Sequence, residues 1–385
     1  VYGDPAAGRM FYLHFREVLK RLGWHATRSE QCLYVKKNAD GTFCWLISFV
    51  DDASIAGPIK YLQKCIKDIQ DQMEITLEKG ITAFLGLNIE YNMTSGYLIA
   101  NVPTMINDIV KRFSKYMQHL RPRSVPATPG LQMTKATDEE VAQAKELPYQ
   151  ELCGALCWVI TWVRIECSTI MSMLGQHNAR WSKAHFEVAL GVLKYLEGTA
   201  NHGLKYTRSA EFNAKNCITG YSDADLAGDI DTRRSRTGKL VLCAGGPITS
   251  KSSLQNVVQL STAAAETIAL NDTVQDVSVI RNTLAEMGLE QTAPTTVFED
   301  NQAAVAIANS NTSLTGATKH LQMRDLKIKE MIESGTITVE YCPTTKMLSD
   351  LFTKNLNHVL FKKFSEYVTG YETDRKLLFI FKTKD

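Results

Sequence analysis

What the chain has little of narrows the field first. Its 385 residues hold no apolar run near the length of about eighteen residues that a membrane-spanning helix needs, so no membrane partner is expected. Net charge is almost absent, since 43 Lys and Arg against 41 Asp and Glu leave +2. No whole-chain field would draw in a polyanion, and any nucleic-acid contact must come from local basic patches. Nine cysteines, an odd number scattered along a long chain, argue against a disulfide framework. Cys153 and Cys157 lack a second Cys or His pair at ligand spacing, which excludes a zinc site there. A reducing, intracellular setting is the expectation. Internal repeats and low-complexity blocks are missing too. The start, Val1-Tyr2-Gly3-Asp4-Pro5, has neither an initiator Met nor a signal-peptide pattern, and the expectation is a fragment or processed product.

What is there reads as ordinary globular protein, 44% apolar and 22% charged, long enough for two or three domains. Residues 10–22 place apolar side chains at helical spacing before Gly23. CLYVKK and FCWLISFV, either side of Asn38-Ala39-Asp40-Gly41, predict an antiparallel hairpin that runs into Asp51-Asp52. A helix over about 58–74 and a second hairpin around Thr94-Ser95-Gly96 follow. Residues 120–148, rich in Pro, Thr and Lys, predict a linker or strap. A helical, apolar-rich connection then reaches about Leu196. From about 215 the pattern becomes βββαβαβα, with a long helix over STAAAETIALNDTVQDVSVIRNTLAEMG and a last one over MLSDLFTKNL. A mixed sheet is the natural solution, an α/β (α+β) architecture.

Four acids stand out in this last stretch. Asp223 ends the first strand, Glu266 lies inside the long helix, Asp300 ends the strand TTVFED, and Asp350 opens the last helix. Carboxylates at the carboxyl ends of strands project into the crevice where α/β sheets hold ligands. Phosphodiester hydrolysis by two divalent ions about 4 Å apart needs hard oxygen ligands of this kind. Taken singly, each acid is better read as a solvated turn or surface residue. Asp223-Ala-Asp225 with Gly228 has the opening of a calcium loop, but its twelfth position is Arg234 where a bidentate Glu is required.

In context the acids become specific. GYSDADLAGD, DTRRSRTGKLVL, ITSKSS, STAAAETIAL, FEDNQAAVAIANS, TKHLQMRDLKIKE and EYCPTTKMLSDLFTKNL occur in this order over about 215–368. The series resembles the ribonuclease H domain of copia-type retrotransposon Pol proteins. The resemblance implies that Asp223 bridges two Mg²⁺ ions, that Glu266 and Asp300 are further ligands, and that Asp350 is the fourth carboxylate. Mn²⁺ is an expected substitute. It also implies a place for His320 near the nucleic acid, the alternative being a surface histidine at a helix start. Ala264 and Thr267 depart from the family, which usually carries a second Glu and an aromatic around the helix acid.

Upstream, SFVDDASIAG is a strand, an acidic turn and a returning strand. It resembles the Y-V-D-D element of reverse transcriptases, with Phe49 where Tyr is usual. VYGDPAAGRMFYLHF, FLGLNIEYNMTSGYLIA and the connection from LPYQELCGALCWVITW onward extend the resemblance to about 1–368. It implies that Asp51 and Asp52 are metal-binding residues of a polymerase palm. Here departures are larger. The first segment reads VYGDPA for L-Y-G-L-K-Q, and residues 161–166, TWVRIE, stand for T-R-P-D. The fingers and first half of the palm, with the third carboxylate that polymerisation needs, are absent, so DNA synthesis by this chain alone is not expected. The missing fingers and palm of the same polyprotein are the implied partner.

The expected division is residues 1–125 for the reverse-transcriptase part, 126–212 for the linker and helical connection, 213–370 for ribonuclease H, and a tail over 371–385 without an assignable role. Lys111, Arg112, Lys115, Arg121 and Arg123 form one basic stretch. Arg233, Arg234, Arg236 and Lys239 form another, which follows the strand of Asp223 and is expected to reach phosphates flanking the scissile bond. Trp158, Trp162 and Trp181 are expected in the core. The leading function is Mg²⁺-dependent cleavage of RNA in an RNA–DNA hybrid. The alternative is an inactive or domesticated relic that binds nucleic acid without turnover. An integrase or resolvase of the same fold class is disfavoured by the helix acid Glu266 between two strand acids.

Overall fold

The computed structural model describes residues 6–77, 80–208, 216–310 and 319–371, without the side chains of 319–322. These residues gather into two compact units.

The first unit comprises the chain up to Tyr91 together with 278–292. Helix α1 (Ala7–Arg21) buries Phe15, Val18 and Leu19, the i, i+3, i+4 stripe that the sequence pattern predicts. Gly23, at φ +82°, ends it. Strands β1 (His25–Ala26), β2 (Leu33–Lys37), β3 (Phe43–Phe49) and β4 (Asp52–Ala56) then form an antiparallel sheet in that order. The expected hairpin is β2–β3. In β3 the alternate residues Cys44, Leu46 and Ser48 point inward, as a half-buried strand requires. Helix α2 (Ile59–Gln70) covers that face, so Trp24, Tyr34, Leu46, Cys65 and Ile69 share a core with α1. A short hairpin of β5 (Ala83–Phe84) and β6 (Leu87–Asn92) follows.

The second unit opens with β7 (Tyr97–Asn101) and α3 (Pro103–Met117), whose Pro103 sits where a helix tolerates it. The strap runs without regular structure only to Thr137. That residue caps α4 (Asp138–Ala144) in a capping box with Glu140. The connection is helical as expected, with α5 (Tyr149–Trp162), α6 (Ser168–Gln176) and α7 (Lys183–Gly198). Strand β8 (Leu204–Thr207), which sequence reasoning did not foresee, pairs with β7. Trp181 stacks on Tyr149, with ring centroids 5.5 Å apart, but Trp162 is 46% exposed and does not meet the core expectation.

The TWVRIE stretch acquires a physical meaning here. Arg164 and Glu166 are both fully buried and paired at 2.8 Å, and Arg164 also donates to the carbonyl and hydroxyl of Thr199. Tyr195 donates to the same Glu166 oxygen. Burying both charges costs solvation, which their attraction and the hydrogen bonds from Arg164 to Thr199 and from Tyr195 to Glu166 offset.

The rest of the unit follows the expected order. It contains β9 (Ile218–Asp225), β10 (Arg236–Cys243), β11 (Gly246–Leu254), α8 (Thr262–Glu286, of which the residues up to Val277 fall in this unit), β12 (Thr295–Glu299), α9 (Gln302–Asn309), α10 (Lys319–Glu333), β13 (Ile337–Tyr341) and α11 (His358–Val368). The sheet is mixed, in the order β11-β10-β9-β12-β13. The β9, β10 and β11 pairings are antiparallel, and β12 is parallel to both β9 and β13. One element differs. MLSDLFTKNL is not an α-helix but a tight 3-10 turn over Leu348–Phe352, and the last helix starts later, capped by Asn357. The segment bends where Thr353 rests on Gly238 of β10 and, with Lys354, reaches Asp223 of β9. Among the described residues no helix is long and apolar enough to cross a membrane.

Breaking a buried ion pair by removing one partner strands the other charge, at a cost of about 3–5 kcal/mol. Arg164→Met is therefore expected to lower the urea midpoint of the second unit strongly, and Arg164→Met/Glu166→Gln to lower it less. Equal losses in the two variants, measured by chemical denaturation, would contradict this account of the pair.

Candidate active site

The sheet's carboxyl end gathers the four predicted acids. Asp223 lies near the end of β9 and is buried. Glu266 sits one turn into α8, buried as well, because the helix approaches β9 over small residues: Ala265 and Ala269 pack against Ala224. Larger side chains there would hold the helix acid away from Asp223. Asp300 follows the last residue of β12, and the next residue, Asn301, caps α9 by accepting from Ala304 N at 3.0 Å. Strand end and helix cap together fix the direction of Asp300.

Asp350 arrives on the 3-10 turn, and a glycine makes room for it. Gly238 of β10 lies opposite Asp223 in the ladder, and a Cβ there would stand 2.6 Å from Thr353 Cγ2 and 2.8 Å from Ser349 O. The turn can rest on the sheet only because that atom is missing.

The result is a set of hard oxygen donors in two overlapping groups. Ligand atoms of Asp223, Asp300 and Asp350 lie within 4.8 Å of one another, and so do those of Glu266, Glu299 and Asp300. Asp300, rather than Asp223, is common to both groups. Glu299 is the member that sequence reasoning missed. It is fully buried at the end of β12, its Oε2 accepting from Ser222 Oγ at 2.7 Å and its Oε1 from Asn301 N at 3.2 Å. Strand alternation would send Glu299 and Asp300 to opposite sides, but Asp300 lies beyond the strand end and turns back. Thr344 Oγ1 donates to Asp300 at 2.7 Å, and Thr353 Oγ1 donates to Asp223. Lys354 reaches Asp350 Oδ1 at 2.7 Å and Asp223 Oδ2 at 3.6 Å.

Electrostatics follow from burial. Burial first, then Glu299 and Asp223, push the Glu266 carboxyl far above the usual range. Burial likewise raises Glu299, against the pull of Ser222 and Asn301. Asp350 is raised by burial and Asp223, with Lys354 opposing, and Asp300 is raised by burial against the Thr344 hydrogen bond. The donor set fits divalent cations. Every ligand is a carboxylate, and the buried Glu266 Oε2 has no hydrogen-bond partner.

The other predicted residues are dispersed. Arg233 and Arg234 are exposed on the β9–β10 turn. Arg236 is buried, its guanidinium taken by Ser172 and Gln176 of α6, and Lys239 is paired with Asp276 at 2.7 Å. The expected cluster of four thus has two members facing solvent on the turn and two held by partners: Arg236 and Lys239, three residues apart, point to opposite faces of β10 and are bound there by α6 and by Asp276 of α8. His320 falls in the first turn of α10, and its side chain lies outside the described residues. Asp51 and Asp52 are exposed at the β3–β4 tip, after Val50 at φ +53°. Among the described residues no group of three ligating side chains includes either of them.

Two expectations follow for the isolated protein. Gly238→Ala overpacks the turn, so a loss of about 1–3 kcal/mol is expected, with a smaller rise in unfolding temperature on adding Mg²⁺ than in the unsubstituted chain. An unchanged melting profile would show that the turn tolerates the methyl group. The raised carboxyls also set a pH dependence. Their folded forms bind protons more tightly than the unfolded chain, so their contribution to stability is complete at low pH and lost as pH rises through the raised values. In EDTA the unfolding temperature is expected to fall from about pH 5 to about pH 8 and to fall less with Mg²⁺. A rise over that range would refute the assignment.

The chain is 30% identical over 359 residues to the "Retrovirus-related Pol polyprotein from transposon TNT 1-94" of Nicotiana tabacum, covering 92% of this chain and 26% of that protein. It is 25% identical over 369 residues to the "Retrovirus-related Pol polyprotein from transposon RE1" of Arabidopsis thaliana, covering 96% of this chain and 24% of that protein. It thus spans about a quarter of the length of these curated relatives. No protein-family model matches. Among solved structures, a foamy viral protease-reverse transcriptase in complex with an RNA/DNA hybrid aligns over 89% of this chain and 39% of that one, at 13% identity and a TM-score of 0.45. Relatives of one kind thus match nearly its whole length, and the chain is similar throughout to the Pol polyproteins of copia-type retrotransposons.

Proposed function

We propose that the second unit is a divalent-metal-dependent ribonuclease H that cleaves the RNA strand of an RNA–DNA hybrid. The observation that carries this reading is the convergence of Asp223, Glu266, Asp300 and Asp350 at one end of a mixed sheet. Mg²⁺ or Mn²⁺, when bound, supplies Lewis acidity and lowers the pKa of a coordinated water. The chain's own residues do the rest. Asp223 and Asp350 offer oxygens on the 3-10 turn side of the site, Glu266 offers its unpartnered Oε2 from the helix side, and Asp300 lies between them. Thr353 and Thr344 orient the Asp223 and Asp300 carboxylates by hydrogen bonds. Arg233 and Arg234, exposed on the neighbouring turn, are the basic residues free to meet backbone phosphates.

The first unit is proposed as a palm hairpin that serves a larger polymerase. Its Asp51 and Asp52 have no third ligating side chain beside them among the described residues, so the remaining carboxylate would come from elsewhere in the polyprotein.

The test is cleavage of a labelled RNA–DNA hybrid in Mg²⁺, with product ends identified. RNA products with 3′-hydroxyl ends are expected, and Asp300→Asn should cut the rate by about 100-fold or more, as loss of a metal ligand does at least what loss of an outer partner does. Full activity in Asp300→Asn would falsify the site. Hybrid binding without cleavage at any Mg²⁺ or Mn²⁺ concentration would instead indicate a nucleic-acid-binding relic.

A further inference from the structure

Lys354 occupies a place that neither the motif order nor the metal chemistry accounts for. It follows Asp350 by four residues, and its backbone N donates to Asp350 O at 3.0 Å, so the two side chains emerge on the same side of the bend. Its ammonium group stands 2.7 Å from Asp350 Oδ1 and 3.6 Å from Asp223 Oδ2. Both residues belong to one of the two groups of potential metal ligands. The lysine therefore takes up a lone pair of Asp350 as a hydrogen-bond donor and faces Asp223 as a charge, where a divalent ion would seek the same carboxylates. Its charge also bears on Glu266 and Asp300.

The surroundings make this contact releasable. Asp223 and Asp350 are buried and cannot move away, because Thr353 holds one and the turn on Gly238 holds the other. The Lys354 side chain is 41% exposed and borders a cavity of about 290 Å³ lined by Gln176, Asp225, Asp229 and Asn355. A flexible four-carbon stem can swing an ammonium group into that space, where water and the nearby acids resolvate it at small cost.

We propose that Lys354 is the resident cation of the metal-free site, displaced from Asp350 and Asp223 when a divalent ion binds. It lets the clustered carboxylates fold together without metal, and it competes with the metal for the same oxygens. The ion affinity of the site is thereby set by a lysine that is itself not a ligand. This inference rests on the metal-binding reading of the site proposed above.

The experiment uses the full chain with Mn²⁺ as probe, measured by calorimetry and by the electron paramagnetic resonance of free Mn²⁺. Thermal unfolding in EDTA is followed in parallel. Lys354→Met should bind Mn²⁺ roughly tenfold more tightly than the unsubstituted chain, because no internal cation must be displaced. The same variant should unfold at a lower temperature in EDTA and recover on adding Mn²⁺. Lys354→Arg, which keeps the charge, should stay within about twofold of the unsubstituted affinity. Lys354→Gln is read alongside, in case the methionine variant does not fold. Unchanged affinity in the neutral variants would overturn the proposal, since Lys354 would then be only a surface partner. Weaker affinity would overturn it too, by making Lys354 a support that positions the ligands. Absence of Mn²⁺ binding in the unsubstituted chain would remove both this inference and the metal reading, whereas normal binding there with no change in the variants removes this inference alone.

Discussion

The second unit is organised around the confinement of like charges. Five carboxyl groups, Asp223, Glu266, Glu299, Asp300 and Asp350, are held within a few ångströms at one end of a sheet, most of them buried. Two unit charges 4 Å apart repel by about 4 kcal/mol at an effective dielectric constant near 20, so the arrangement cannot stand as five bare anions. The fold spends its smallest side chains on making the confinement possible. Alanines bring α8 onto β9, and Gly238 admits the turn that carries Asp350. The crowding and burial push the Glu266 and Glu299 carboxyls up, and the ammonium of Lys354 beside Asp350 opposes the repulsion. A fold assembled for packing alone has no reason to keep such a cluster; one that binds divalent cations does.

Much of this was legible in the sequence, and for identifiable reasons. Asp223, Glu266, Asp300 and Asp350 sit in motif blocks whose order fixes their elements, and the structure brings all four together. The mixed sheet followed from the strand and helix periods. Glu299 escaped notice because strand alternation argues that neighbours face apart, a rule that fails where a strand ends. The last helix was placed too early because MLSDLFTKNL has helical spacing, while its actual path is decided by partners far away in sequence, Asp223 at Thr353 and Lys354. Arg236 and Lys239 show the converse: a basic run reads as a surface, but two of its members are claimed by Ser172, Gln176 and Asp276.

The departures from the family pattern also divide. Within residues 161–166 the family's arginine and acid recur at the same spacing, as Arg164 and Glu166, with Ile165 in place of the proline, and they make a buried pair. At the helix acid, Thr267 is buried and donates to Ala263 O one turn back, so it fills space without adding a ligand. The β3–β4 tip is different in kind. Asp51 and Asp52 are presented at the tip of their hairpin, yet the described residues give them no third acid.

The central claim is that the acids of the second unit form a divalent-cation site. It is tested most directly by the anomalous scattering of Mn²⁺ in crystals of the full chain with a non-cleavable hybrid. The account predicts manganese peaks bounded by Asp223, Glu266, Asp300 and Asp350, with the Lys354 ammonium turned away from Asp350. A hybrid-bound crystal in Mn²⁺ with no peak at those carboxylates would contradict it.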